Sequence, residues 1–210
     1  MARGILLVGF DYSTAHEDEF HDWYDLEHIP ERQRVPGFGA CERWLGSPNP
    51  QQAVASYDLD SLDVLDSKAY RAIGGDNLSV WSKRVTAMCT RLLRFEGEQI
   101  LPGTRVLPTG AGGLMLNAMN VVPEHEADFN AWYEDEHIPA LAAVPGVLAA
   151  TRYRGDGGSH RYVALYHLAS AKVPNGPAWR EAASSPWTDR LRPHFRDHLR
   201  ILAGAYSRQE

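Results

Sequence analysis

The stretch WYDLEHIP, which begins at Trp23, brings together side chains that could move a proton. A neutral His28 imidazole can accept a proton, the Tyr24 phenol can polarise a carbonyl, and a partly desolvated Glu27 can act as acid or base. Residues four apart lie on one flank of a helix, so Tyr24 and His28 are expected to act together. Both this stretch and a second one, WYEDEHIP, are therefore candidate catalytic segments. The second stretch contains Trp132, Tyr133, Glu136, His137 and Pro139.

The same residues also have structural interpretations that the sequence leaves open. The glutamates could accept hydrogen bonds from the backbone or from Arg43 and Arg152, and the histidines could cap the carbonyl group that the following proline leaves free. Trp23 and Trp132 are expected in the core or in the wall of a pocket. The two arginines follow the motif on a strand and could alternatively bind a substrate carboxylate, because a guanidinium group matches its geometry.

The second copy has two polar strand residues that the first copy lacks at the equivalent positions. Asn117 and His167 occupy strand positions where the first copy has Val8 and Asp58. A polar side chain in a buried strand needs a partner, which is either a neighbouring residue or a ligand. We predict a substrate pocket in the second copy, with His137 as base and Tyr133 as polarising donor, and a mainly structural first copy. The predicted pocket comprises Tyr133, Glu136, His137, Asn117 and His167.

One group of residues resembles the face of a metal site. His21, Asp25 and His28 follow each other at intervals of four and three residues, as ligands on one helix face would. The second copy lacks the first histidine of this set, so we predict no metal site. The equivalent residues there are Asn130, Glu134 and His137.

A tandem repeat explains why the motif occurs twice. Shifting the sequence by 109 residues aligns 16–43 with 125–152 without a gap and gives fourteen identities. The same shift aligns VASYDL, from Val54, with VALYHL, from Val163. Only two copies are present, which argues against a solenoid. We predict a first repeat over 1–97, a linker over 98–112 that is rich in Gly and Pro, and a second repeat over 113–210.

Each repeat has the predicted element order βαββαβ. An apolar run of strand length opens the repeat, and the motif follows on a helix with an apolar face. Two further strands form a hairpin, and a second helical region leads to a closing strand. The proline of the motif lacks the N–H of a regular turn, so the helix is expected to kink or restart there. A sheet with helices on one face leaves its other face bare, and two such sheets can cover each other.

The composition limits the class of protein. The chain has 210 residues, of which 44% are hydrophobic and 23% charged, and its formal net charge is −6. No block of Lys or Arg is present, so nucleic acid and anionic membranes are disfavoured as partners. No apolar segment reaches the length of a membrane span, and the N-terminal apolar run is too short for a secretory signal. With only two cysteines as well, we expect a cytoplasmic protein.

The motif, the Pro-Gly stop that follows it and the βαββαβ order together resemble the dimeric α/β-barrel superfamily, and its EthD-like branch in particular. The resemblance covers both repeats and rests on the motif residues, with Pro36-Gly37 and Pro145-Gly146. It implies an α+β fold of two ferredoxin-like repeats that form, within one chain, the barrel usually built by a homodimer. It also implies a pocket between the sheet and the helices of a repeat. A monomer is therefore expected to be viable, and a homodimer remains possible.

The resemblance leaves two functions open, because the superfamily includes lactone isomerases, polyketide cyclases, quinone-forming monooxygenases, haem enzymes and proteins without assigned activity. The first is an enzyme of the isomerase, cyclase or lyase type that transfers a proton on a hydrophobic carbonyl or aromatic compound, with no cofactor predicted. The alternative is an accessory protein that binds a hydrophobic ligand, haem included, without catalysis.

Overall fold

The structure, a computed structural model, describes residues 2–208 as two consecutive βαββαβ units. The strands are β1 (Gly4–Asp11), β2 (Phe38–Gly46), β3 (Gln52–Leu59), β4 (Thr90–Leu101), β5 (Gly113–Val121), β6 (Val147–Arg154), β7 (Tyr162–Leu168) and β8 (Phe195–Ala205). The α-helices are α1 (Glu17–Asp22), α2 (Ile29–Gln33), α3 (Lys68–Arg71), α4 (Val80–Ala87), α5 (Glu126–Trp132), α6 (Ile138–Ala142), α7 (Pro177–Ala182) and α8 (Pro186–Leu191).

The strands form one closed antiparallel barrel in the order β1-β3-β2-β8-β5-β7-β6-β4. Each repeat contributes a four-stranded sheet whose first strand lies between its third and fourth strands. Two seams join the sheets, because β2 pairs with β8 and β4 pairs with β6. Every strand therefore has two neighbours, and each seam consists of three residue pairs. The predicted α+β fold of two ferredoxin-like repeats is confirmed.

Both faces of the barrel wall are covered by apolar groups. One face of the strands fills the interior with side chains such as Leu7, Leu116 and Leu165, each fully buried. The other face packs under the helices, as Met115 and Tyr166 do. Every residue of β7 is consequently buried. Burial on both sides explains why these strands read as continuous apolar runs instead of alternating with polar residues.

The helix that carries the motif changes its geometry there in both repeats. In the first repeat α1 ends at Asp22, a π-helical segment spans Trp23–His28, and α2 begins at Ile29. In the second, a π-helical segment spans Tyr133–His137 between α5 and α6. The proline is the second residue of the restarted helix, a position where an N–H has no intrahelical acceptor. The predicted restart of the helix is confirmed, and a π-helical turn separates the two α-helices.

The segment that joins the repeats is shorter than the sequence predicts. Residues 98–101 belong to β4, where Glu98 pairs with both Gly4 of β1 and Arg154 of β6. The connection itself spans 102–112. The seam explains the difference, because pairing with the second repeat extends β4 beyond the length that its own sheet requires.

The helices that cover the barrel are short. The longest α-helix of residues 2–208 is α4, with eight residues. In this described part of the chain, no helix combines the length and the apolar character needed to cross a bilayer.

We expect the protein to be monomeric in dilute solution, because both seams that a homodimer would form between chains are made within this one. Light scattering coupled to size exclusion should give a mass near 23.4 kDa. A folded protein that is found only in larger assemblies, with no monomer on dilution, would contradict this prediction.

Candidate active site

The π-helical turn determines which side chains of the motif touch. In the second repeat the Ile138 N–H donates to the carbonyl oxygen of Tyr133, five residues earlier, and the first repeat has the equivalent bond. The wider turn brings residues i and i+5 together. The His137 ring therefore stacks on Trp132 with the ring centroids 4.1 Å apart, and it meets the Tyr133 ring edge-on at 5.3 Å. The imidazole is held between two aromatic rings.

A cavity of about 350 Å³ lies between the sheet of the second repeat and its helices. Both Tyr133 and His137 line it. Its volume falls within the range of about 300–1,000 Å³ that is typical of small-molecule pockets. Its aromatic walls are Trp132, Trp179 and Phe195, and its polar lining includes Asn117, His198 and Arg200.

The reactive groups of Tyr133 and His137 are available to a ligand. The Tyr133 hydroxyl has only the Met119 sulfur at 3.9 Å, a weak acceptor, and no hydrogen bond to the His137 ring is found within residues 2–208. Burial raises the pKa of Tyr133 to about 12, although the nearby Arg152 opposes this shift. Burial, followed by the charge of Arg152, lowers the pKa of His137 to about 4. At neutral pH the phenol is protonated and the imidazole neutral, as a hydrogen-bond donor and a base must be.

The two polar strand residues of the second repeat lie on opposite faces of the sheet. Asn117 lines the cavity, and its Oδ1 is buried without a hydrogen-bond partner. His167 faces the barrel interior, where its ring lies 5.8 Å from Trp44 and neither of its nitrogens has a partner among the described residues. Burial lowers the pKa of His167 to about 4. Contrary to the prediction, His167 does not belong to the pocket, because it has the interior-facing parity of Leu165 on β7.

Glu136 connects the motif to α8. Its carboxylate accepts a hydrogen bond from the Ser185 hydroxyl, which also accepts the Thr188 N–H and so caps α8. Trp132 Nε1 donates to Thr188 Oγ1 at 3.1 Å and joins the same network. Glu136 does not line the cavity, and its contacts favour the structural interpretation. The first repeat has the same network, made by Glu27, Ser79, Ser82 and Trp23.

The first repeat has a buried arginine at the position of one cavity residue of the second. Arg32 replaces the cavity residue Leu141, is only 3% exposed and donates to the carbonyl oxygen of Ile73. Tyr24 and His28 still meet edge-on at 5.3 Å, but His28 Nδ1 is buried without a partner. Burial, followed by the charge of Arg32, holds the pKa of His28 well below its ordinary value. The two copies of the motif therefore have the same internal geometry in different surroundings.

Arg43 is engaged by the protein instead of facing a pocket beside His28. It donates to Asp25 Oδ1 at 2.7 Å, lies 2.7 Å from His21 Nδ1 and stacks 4.0 Å from the Tyr206 ring. His21 and Asp25, two members of the set that resembles a metal face, are thus partners of an arginine. The salt bridge to Glu27 considered from the sequence is replaced by one to Asp25.

Arg152 is 2% exposed and has no carboxylate partner within residues 2–208. It donates to Asn130 Oδ1 at 2.7 Å, and its Nε is buried without a partner. Its guanidinium lies 4.2 Å from the centre of the Tyr133 ring, on which it packs by a cation–π contact. Burial lowers the pKa of Arg152. Arg152 does not line the cavity, so it affects that space through Tyr133.

Comparisons with solved structures show the same architecture throughout the chain. A structure described as an anthrone oxidase-like protein superposes with a TM-score of 0.65 at 13% identity, covering 99% of this chain and 92% of that one. A variant of chlorite dismutase from Candidatus Nitrospira defluvii in complex with cyanide gives 0.62 at 11% identity, covering 98% and 91%. A ferredoxin-fold protein from Listeria monocytogenes, related to antibiotic biosynthesis monooxygenases, gives 0.55 at 7% identity, covering 99% and 96%.

The chain has the fold of the dimeric α/β-barrel superfamily. The structural neighbours span both repeats, so the likeness extends to the closed barrel and is not confined to one ferredoxin-like unit. No protein-family model matches the chain, and no curated protein matches it in sequence.

Alignment of the two repeats of this α/β barrel at a second spacing pairs residues that the spacing of 109 does not pair, and Arg200 is one of them. The helix-capping serines Ser79 and Ser185 are 106 residues apart, not 109, because the second repeat is three residues shorter before α8. At this spacing SVWSKR aligns with SPWTDR, and Arg94 aligns with Arg200. Comparing the closing strands at the shorter shift would have identified Arg200 as a duplicated residue near the pocket.

We predict that Ser185→Ala lowers the free energy of unfolding by about 1–2 kcal/mol, because it removes the cap of α8 and the hydrogen bond to Glu136 together. Chemical denaturation followed by tryptophan fluorescence would measure the change. Ser184→Ala is the matched control, since the Ser184 hydroxyl is exposed and bonds only within its own helical turn. Equal stabilities of the two variants would contradict a structural role for the Glu136 network.

Proposed function

We propose that the second repeat is a cofactor-independent active site of the isomerase, cyclase or lyase type, which transfers a proton on a hydrophobic carbonyl compound. The observation that supports this most is the pair formed by the Tyr133 hydroxyl and the His137 imidazole. Both groups line one aromatic cavity, and within residues 2–208 neither is satisfied by a strong hydrogen bond. A carbonyl ligand would supply the missing acceptor for the phenol.

The proposed step removes a proton from the carbon next to the carbonyl group. The neutral His137 ring takes this proton, and the electron pair of the broken C–H bond moves to form an enolate. The Tyr133 hydroxyl donates a hydrogen bond to the enolate oxygen, where negative charge develops. Return of the proton to a different carbon completes an isomerisation. Attack by the same enolate on a carbonyl carbon of the molecule would close a ring, with the carbonyl π pair moving to its oxygen, which takes the proton from His137. Expulsion of a leaving group from the carbon next to the enolate carbon would form a double bond in a lyase reaction, and the departing group would take that proton.

The low basicity of His137 restricts the substrate class. A base whose pKa is about 4 removes protons efficiently only from a comparatively acidic carbon. Such carbons lie between two activating groups, for example between a carbonyl and an aromatic ring. An aromatic ring next to the acidic carbon would also pack against the aromatic walls of the cavity. The structural neighbour described as anthrone oxidase-like is named after an aromatic ketone of this kind.

In this proposal Glu136 and Glu27 position the motif instead of acting as acids. Their carboxylates are held by the serines that cap α8 and α4. The first repeat serves mainly as the structural half of the barrel, and the buried Arg32 at the position of the cavity residue Leu141 supports this assignment.

The alternative is a binding protein for a hydrophobic ligand, and haem is one candidate. The residues of the cavity fit haem in kind: His137 would bind its iron, and Arg192 and Arg200 would hold its carboxylates. Haem would supply an iron that binds and activates small oxidants. The cavity volume of about 350 Å³ lies at the lower end of small-molecule pockets and favours a compound of one or two rings.

Proton transfer can be tested without knowing the natural substrate. The purified chain is incubated with 2-tetralone in deuterated water, and the exchange of its C1 protons is followed by NMR against the uncatalysed rate. We expect catalysed exchange that falls about a hundredfold or more in His137→Ala and in Tyr133→Phe. His28→Ala is the matched control and should keep the wild-type rate.

The variants separate the possible assignments, provided that circular dichroism shows each to be folded. Loss of exchange only in His28→Ala would move the active site to the first repeat, and loss in both histidine variants would indicate two working sites. Full activity in both would remove the histidines from catalysis. A Soret band that forms with added haemin at one equivalent per chain, and is lost in His137→Ala, would favour the binding protein.

The exchange rate should also depend on pH through His137. The pKa of this group is lowered, so the base form predominates above about pH 4 and is lost as the pH falls through that value. We therefore expect the enzyme-catalysed rate constant to remain level from about pH 7 to pH 5 and to decrease below. A decrease centred near pH 6.5, the value of an unperturbed imidazole, would assign catalysis to an exposed histidine instead.

A further inference from the structure

Asn117 and Arg200 form a polar pair at one end of the cavity. They are directly opposite each other in the register of β5 and β8, which places their Cβ atoms roughly 4.5–5.5 Å apart on the same face of the sheet. Neither side chain makes a hydrogen bond or ion pair within residues 2–208, and Asn117 Oδ1 is buried. Two adjacent hydrogen-bonding groups are thus directed at the same cavity without protein partners.

The charge of the cavity is one-sided. Arg192 and Arg200 line it, and no Asp or Glu does so among the described residues. Both arginines are exposed to solvent; Arg192 has a 3.4 Å contact with the exposed Asp189, and Arg200 has no carboxylate within salt-bridge distance among residues 2–208. Attraction between unit charges is stronger near a protein surface than in bulk water, so this end of the cavity favours an anion.

The first repeat shows what the same arginine does when it has partners. Arg94, the counterpart of Arg200, donates to Glu96 and to the Tyr70 hydroxyl. It is opposite Val8, where the second repeat has Asn117. The second repeat has also replaced both partners with apolar groups, Leu202 for Glu96 and Trp179 for Tyr70. The duplicated arginine is retained, while its carboxylate and hydroxyl partners are absent.

We propose that Arg200 and Asn117 bind the carboxylate of an aromatic acid whose rings occupy the cavity beside Tyr133 and His137. The guanidinium supplies a charge-assisted pair of donors and Asn117 Nδ2 supplies a further N–H, whereas the buried Asn117 Oδ1 is an acceptor and would take a hydroxyl or N–H donor of the same ligand. Trp132, Trp179 and Phe195 provide flat apolar walls for the rings. The inference rests on the proposed function only in using the same cavity, and it defines the substrate class as a carbonyl compound that carries a carboxylate.

Binding of 2-naphthoate tests this proposal without any turnover, with 2-naphthamide as its uncharged analogue. Titration calorimetry on the full chain should show that naphthoate binds more tightly than naphthamide. Arg200→Gln should weaken naphthoate binding by about tenfold or more and leave naphthamide binding within about twofold. Asn117→Val, which installs the residue type of position 8, should weaken naphthoate binding by about fivefold.

Arg94→Gln is the matched control and should bind both compounds as the wild type does. The proposal is overturned by equal affinity of the wild type for both compounds, by undetectable naphthoate binding at millimolar concentration, by unchanged binding in Arg200→Gln, or by an equal loss in Arg94→Gln. Failure of the proposed function is distinguishable, because deuterium exchange that survives His137→Ala would leave an Arg200-dependent carboxylate site in place.

Discussion

The arrangement of the site depends on one backbone hydrogen bond, from the Ile138 N–H to the carbonyl oxygen five residues earlier. This bond widens the turn before Pro139, whose missing N–H would otherwise interrupt a regular helix. The wider turn sets His137 on the face of Trp132 while keeping it in contact with Tyr133. An ordinary α-helical turn would keep the i, i+4 contact and lose the i, i+5 stack. The π turn is present in both copies of the eight-residue motif and accounts for the orientation of its two titratable groups.

Around this shared turn, the two repeats differ in how they satisfy their polar groups. In the first, Arg43 is paired with Asp25 and Arg94 with Glu96, so the cations are neutralised by the chain itself. In the second, the buried Arg152 has only an amide and aromatic rings as neighbours, and the exposed Arg200 has no hydrogen-bond or carboxylate partner among residues 2–208. A buried charge without a counterion, such as that of Arg152, lowers stability unless something else compensates it. Within the shared motif, the difference between the repeats is thus one of burial and pairing of the surrounding polar groups.

The sequence predicts the fold well because the motif repeats without a gap and its proline has a fixed physical consequence. It predicts the site only in part. Where both faces of a strand are apolar, the sequence does not show which face a given side chain is on. Asn117 and His167 are both polar residues in such strands, yet only Asn117 faces the helices. Arg200 was missed because the repeat changes its spacing by three residues before α8, which moves the closing strand out of the register that the motif defines.

Closure of the barrel within one chain has a consequence for how the two halves can diverge. In a symmetric homodimer every substitution occurs twice, so a change that improves one pocket is imposed on the other and on both seams. Here the seam between β4 and β6 and the seam between β2 and β8 consist of different residues. One half can therefore accumulate rigid, well-paired contacts that hold the barrel together. The other half can keep unpaired polar groups, which lower its local stability. In a symmetric homodimer the same loss of stability would occur in both subunits.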